Sequence, residues 1–290
     1  MIVSPWGNFT KPPYGGAVAA TANADIQSAN IVGYQNIDVK NGYQFFTVTF
    51  EDIADSTQVN VANILCKKST GADWLRTGAP ANACAGAIEV RKIDAEGSYG
   101  QRIKYYGKNA ADSFGPGWYK ETYAEANLIS DENPLYLKPG EGLIVYTSKA
   151  DGAAQFILSG AVKLTAMEST IKNGYQFGGN CTPVTLKLSD VLCQKANGAD
   201  WLRTGAPANA CAGAIELRKI DAEGSYGQRI KYYGKNASDT FGPGWYKETY
   251  AEANLIGGDN EITFAPGEGW ILYTSKSDDA AKLVIPSAIK

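Results

Sequence analysis

Apolar and polar residues along this chain alternate with a period near two, in short runs broken by glycine, proline and asparagine. "YQFFTVTF" (43–50), "VNVANILC" (59–66) and "AAQFILSGAV" (153–162) each read as a strand, because alternation suits a pleated ribbon with one face buried. "AIEVRKI" (87–93) runs through "DAEG" into "SYGQRIKYY" (98–106), which predicts a hairpin with Gly97 in its turn. "PLYLKPGEGLIVYTSK" (134–149) predicts strand, Pro-Gly turn and strand. Only "YKETYAEANLI" (119–129) offers a helical stripe, through Tyr119, Tyr123, Ala126 and Leu128, and the match is fair at best. Many short strands with frequent turn signals predict an all-β fold of antiparallel sandwiches or barrels.

The same pattern occurs twice. Residues 71–129 align without a gap on 198–256 and differ only at Val90/Leu217, Ala111/Ser238 and Ser113/Thr240. Farther on "PGEGLIVYTSK" (139–149) faces "PGEGWILYTSK" (266–276), whereas upstream the copies are looser and the first is five residues longer. A period this long indicates duplication of a whole domain rather than a solenoid. The expected organisation is an N-terminal extended arm (1–28), a first β-sandwich (29–163) and a second (164–290). The arm has no counterpart in the second copy. Its apolar residues Ile2, Val3, Trp6, Phe9 and Val18 suit an assembly segment that pairs with an exposed strand edge of a neighbour.

The "GYQF" motifs at Gly42–Phe45 and Gly174–Phe177, with "PGEG" at Pro139–Gly142 and Pro266–Gly269, resemble a repeated all-β domain of predicted secreted and surface proteins of planctomycete and verrucomicrobial bacteria. That resemblance implies a surface location and no known chemistry. The cysteines and the long "GPGWYKETYAEAN" segment depart from it.

Four of the five cysteines occupy equivalent places, Cys66 and Cys84 in one copy, Cys193 and Cys211 in the other. The simplest framework is a disulfide inside each copy, although four cysteines allow three connectivities and buried thiols are the alternative. Cys181 has no counterpart and is expected as an intersubunit link or a lone thiol.

The 290 residues contain no histidine, which removes the usual general base and the commonest metal ligand. Neither a nucleophile motif nor a phosphate loop stands in for it, so the expectation is no enzyme, no cofactor and no metal. A net charge of −3 argues against nucleic acid, and no apolar run is long enough to span a bilayer. An extracellular or cell-surface protein remains the expectation.

Aromatic residues recur in both copies, and Trp118, Tyr119, Tyr123, Trp245, Tyr246 and Tyr250 are candidates for stacking or subunit contacts. The leading functional reading is a structural subunit that polymerises with itself, head to tail, into a filament or surface layer. In that reading the contact joining the two copies is repeated between molecules. A tandem carbohydrate-binding module acting on surface glycans, or a virion decoration protein, is the alternative.

Overall fold

The computed structural model describes residues 32–39, 42–51, 58–68, 70–71, 88–93, 99–107, 114–147, 154–163, 165–195, 198, 215–220, 226–234, 241–274 and 281–287. The arm residues Ile2, Val3, Trp6, Phe9 and Val18, as well as Cys84 and Cys211, lie outside them.

The protein is all-β. The first half contributes β1 (Val32–Val39), β2 (Gly42–Phe46), β3 (Phe50–Glu51), β4 (Val59–Asn60), β5 (Leu65–Lys68), β6 (Ile88–Ile93), β7 (Tyr99–Tyr106), β8 (Gly117–Lys120), β9 (Tyr136–Leu137), β10 (Leu143–Thr147) and β11 (Ala154–Val162). The second half contributes β12 (Met167–Thr170), β13 (Gly174–Gly179), β14 (Leu186–Lys187), β15 (Leu192–Lys195), β16 (Ile215–Ile220), β17 (Tyr226–Tyr233), β18 (Gly244–Lys247), β19 (Thr263–Phe264), β20 (Gly269–Thr274) and β21 (Ala281–Ile285). Strand order is β2-β10-β6-β7-β8 in one five-stranded sheet and β13-β20-β16-β17-β18 in the other. Smaller sheets accompany them. In the first half β11 carries β1 on one side and β3 and β5 on the other, and in the second β21 lies between β12 and β15. Two-stranded ribbons β4-β9 and β14-β19 complete the set, and the pairing is antiparallel throughout.

Alternation along each strand puts one set of side chains inward. Ile88 and Val90 of β6, Ile103 of β7, Trp118 of β8 and Leu143 and Val145 of β10 meet Phe156 and Leu158 of β11 and Cys66 of β5 in one core. Ile215, Leu217, Ile230, Trp245, Trp270, Leu272, Cys193 and Leu283 form its counterpart. The buried tryptophan ties the layers together in each half. Trp118 Nε1–H donates to the Ile64 carbonyl at 2.7 Å and Trp245 Nε1–H to the Val191 carbonyl at 2.8 Å, so the indole's one donor is satisfied inside the core.

The segment read as a possible helix does something else. Glu121 takes φ 59°, which ends β8, and the chain returns through a 3-10 turn at Glu125–Asn127 to pair Tyr119 with Leu128. The aromatic spacing serves a small outer cluster of Tyr106, Tyr119, Tyr123 and Leu128 over the sheet, not a helical stripe.

The two halves touch through equivalent residues. Phe45 stacks on Phe177 with ring centroids 5.5 Å apart and planes 9° from parallel. A Cβ at Gly142 would lie 2.4 Å from the Phe177 backbone, and one at the equivalent Gly269 would lie 2.7 Å from the Phe45 backbone. Each half thus offers the same ring and the same glycine to the other, and the contact is approximately two-fold. Hydrogen bonds from the Thr47 amide to the Gly267 carbonyl and from Gln35 Nε2 to the Pro266 carbonyl, 2.9 and 2.6 Å long, add an asymmetric supplement. Gly142→Ala and Gly269→Ala are each expected to cost about 1–3 kcal/mol, since the added methyl meets backbone that cannot yield. A lowered denaturation midpoint in both variants is the check, and an unchanged midpoint would show that the halves do not meet this way.

Candidate functional site

Three features of the fold bear on function: an open sheet edge, a pair of equivalent surface grooves and a set of buried thiols. The edge belongs to β1, which pairs with β11 from Val32↔Ala161 to Val39↔Ala154 and has no partner on its other side among the described residues. Every second residue of the eight therefore turns its backbone N–H and C=O to the open side. Val32 is 59% exposed and Tyr34 65%. The usual protection of a long edge, a lysine or a proline, is missing from "VGYQNIDV", whose single charge, Asp38, accepts from Gln155 Nε2 at 2.8 Å. The equivalent β12 has only four residues and carries Glu168, ion-paired to Lys282 at 2.6 Å.

The grooves lie on the outward faces of the five-stranded sheets. In the first half Tyr43 of β2 and Tyr146 of β10 are direct cross-strand partners, and Tyr146 also lies opposite Glu89 of β6. Their rings are 4.7 Å apart and tilted by 39°. Arg91 Nε donates to Glu89 at 2.6 Å, while Arg102 reaches Glu89 at 3.8 Å and Glu121 at 3.2 Å. The short bond to Glu89 holds the Arg91 guanidinium charged even more firmly than usual. Tyr43, Glu89, Arg91, Ile144 and Tyr146 enclose about 470 Å³. Tyr175, Glu216, Arg218, Ile271 and Tyr273 repeat the arrangement around about 260 Å³, with rings 4.7 Å apart and tilted by 42°. There Arg218 pairs with Glu216 at 2.9 Å, and Arg229 lies 3.6 Å from Glu216 and 3.5 Å from Glu248. A third cavity, of about 340 Å³, sits where the halves meet, between β1, β2 and residues 265–268.

The aromatic candidates read from the sequence are placed differently. Trp118, Tyr119, Trp245 and Tyr246 are buried, and Tyr119 and Tyr246 donate their hydroxyls to the Gly115 and Gly242 carbonyls at 2.8 Å. They fill cores and offer no surface to a ligand or subunit. Tyr123 and Tyr250 are half-buried, each accepting an amide N–H, from Phe114 and Phe241. Among the described residues Tyr34, Tyr43, Tyr136, Tyr146 and Tyr175 are exposed and Tyr273 is half-buried; strand parity could have revealed Tyr146 and Tyr273, which alternate with the apolar core positions Leu143, Val145, Trp270 and Leu272.

Among the described residues the expected disulfides are not found. Cys66, Cys181 and Cys193 are free and buried, and Cys66 and Cys193 sit inward on β5 and β15 as packing residues of the two cores. Burial likewise removes Cys181 as an intersubunit link; its thiol lies 3.3 Å from the Met167 sulfur. Among the described residues no three His, Cys, Asp or Glu side chains come together as metal ligands. None of their helices is long and apolar enough to cross a membrane. Comparison with protein-family models, curated proteins and solved structures finds no match to this chain.

Desolvation by burial pushes all three thiols up, Cys181 to about 12. Near neutral pH Cys181 is therefore held as the thiol, not the thiolate, which is the form that reacts. Iodoacetamide on the native protein should therefore leave Cys66, Cys181 and Cys193 unmodified and label all three after denaturation, as read by peptide mass mapping. Their folded values exceed the unfolded one of about 8.5. Their stabilising contribution is thus complete below that pH and lost as pH rises from there towards 12.

Proposed function

We propose that this protein is a non-catalytic structural subunit, acting outside the cell or at its surface, that joins copies of itself head to tail by strand addition at the β1 edge. The carrying observation is that edge: eight residues long, uncharged apart from Asp38, and unpartnered on one side among the described residues. Such a strand accepts another chain through main-chain hydrogen bonds, with side-chain pockets supplying selectivity.

In this reading the chain is two tandem β-sandwich domains, 29–163 and 164–290, and the arm, 1–28, of one molecule supplies the strand that covers β1 of the next. The arm's singularity supports the assignment, because it gives each molecule one donor for one acceptor. Donor and acceptor are different surfaces, so the contact is heterologous and propagates without closing. The joint between the two halves does not serve this purpose. Phe45, Phe177, Gly142 and Gly269 engage one another within the molecule, which uses up both copies of that patch. The "GYQF" and "PGEG" motifs, through the surface proteins they resemble, support the location.

Removal of residues 1–28 should convert fibres or sheets seen by negative-stain microscopy into folded monomers. Val32→Lys with Tyr34→Lys, which leaves the arm intact and alters only exposed side chains, should do the same while shifting stability by no more than about 0.5 kcal/mol. A full-length protein that stays monomeric at high concentration, or variants that polymerise as the parent does, would overturn the proposal.

A further inference from the structure

The two tyrosine grooves carry an inference independent of how copies join. We propose that they are equivalent binding sites for the hydroxylated rings of a neutral polysaccharide, and that one molecule bridges two polysaccharide chains.

The first support is a contrast within the chain itself. On β10 and β20, inward Leu143 and Val145 correspond to Trp270 and Leu272, while Tyr146 on the outward face is kept as Tyr273, beside the buried Ile144 and Ile271. On β2 and β13, inward Phe46 is replaced by Gly178, while outward Tyr43 is kept as Tyr175. The inward exchange is compensated in volume: Phe46 faces Leu143 across the sheet, Gly178 faces Trp270, and a Cβ at Gly178 would lie 2.9 Å from the Trp270 indole nitrogen. Packing restrains buried positions and leaves exposed ones to drift. Here the core has been repacked and the surface retained, so the retained surface is under a demand other than folding.

The chemistry of the groove selects the ligand. Two tilted tyrosine faces, 57% and 60% exposed at Tyr43 and Tyr175, present flat apolar area with polar tips to the C–H face of a sugar ring. Beside them Glu89 with Arg91, and Glu216 with Arg218, offer acceptors and planar donors at hydroxyl height. Arg91 and Arg102 are matched to Glu89 and Glu121, and Arg218 and Arg229 to Glu216 and Glu248, while Lys104 and Lys231, in register opposite Glu89 and Glu216, are buried. Guanidiniums already matched to carboxylates and lysines that are buried suit a neutral, hydroxylated partner better than an anion.

Bridging follows from the symmetry. Tyr43 is two strand positions from Phe45, and Tyr175 two from Phe177, so the grooves flank the Phe45–Phe177 stack on the order of 20 Å apart. The approximate two-fold relation reverses one groove relative to the other. A polysaccharide has a direction and cannot run through both with the same contacts, so each groove takes its own chain.

Affinity electrophoresis through hydroxyethylcellulose, xyloglucan, glucomannan and dextran, with alginate as the anionic contrast, tests the sites. The Val32→Lys, Tyr34→Lys background keeps strand-edge polymers from contributing. Retardation by at least one neutral polymer and none by alginate is expected. Tyr43→Ala with Tyr146→Ala, or Tyr175→Ala with Tyr273→Ala, should retain retardation but abolish the rise in polysaccharide viscosity that marks bridging. All four substitutions together should weaken binding about tenfold or more, and the four Tyr→Phe changes should preserve most of it. Thermal melts of each variant confirm folding. No retardation by any neutral polymer, retardation by alginate, or full binding by the fourfold alanine variant overturns the sites. Viscosity unchanged in the one-groove variants, or absent in the parent despite retardation, overturns bridging alone.

Discussion

The contact of Phe45 with Phe177 governs what the rest of this molecule can do. Two rings at 5.5 Å contribute about 0.5–1.5 kcal/mol beyond the area they bury, a modest sum. Its importance is geometric. β2 and β13 are the end strands of the two five-stranded sheets, and each outward phenylalanine covers the other half at a point where only glycine, Gly142 or Gly269, leaves room for the backbone. A pair of equivalent patches that meet each other is saturated. Duplication, which could have supplied an endlessly repeatable joint, has here produced a closed one.

Closure at that point shifts attention to the edges that remain. The far end of each five-stranded sheet is covered by its own chain, where Leu128 bridges to Tyr119 and Leu255 to Tyr246. β12 is short and charged. Among the described edges β1 combines length with an exposed row of Val32, Tyr34, Asn36 and Asp38. β1 and β12 lie in the looser upstream stretch, where the copies differ, and the difference leaves β1 the longer and less charged of the two.

The alternation of "GYQFF", "AIEVRKI" and "LIVYT" was sufficient to read strands, the hairpin between β6 and β7 and the all-β class, because period-two burial is a local property of a strand. Tertiary placement was harder to read. Tyr119 and Tyr123 look alike whether they line a helix, a surface or a satellite cluster, and the left-handed backbone at Glu121 that decides among these has no sequence signature, glutamate being an unusual residue there. Equal spacing made a disulfide from Cys66 look natural, yet the thiol faces the core from β5, where a small apolar side chain suffices. Tyr43 and Tyr146 were legible in principle from parity. The extended identity lies in 71–129 and 198–256, whereas the comparison that singles them out lies in the looser flanks, where the copies differ.

The edge and the grooves also bear on each other. On the proposed assembly every added subunit brings two grooves in opposite senses, so a filament carries twice as many sites as subunits, fixed in register by a strand joint. A ligand that binds one groove weakly meets the next at an effective concentration set by the subunit repeat rather than by solution. Affinity of a single groove need not be high for such an array to hold polysaccharide firmly, and shallow sites built from one pair of tyrosines and a neutral Arg–Glu chain suit that regime. A monomer with the same grooves would only bridge two chains loosely. On the proposed assembly, the open edge at β1 would turn a weak bridging unit into an adhesive lattice.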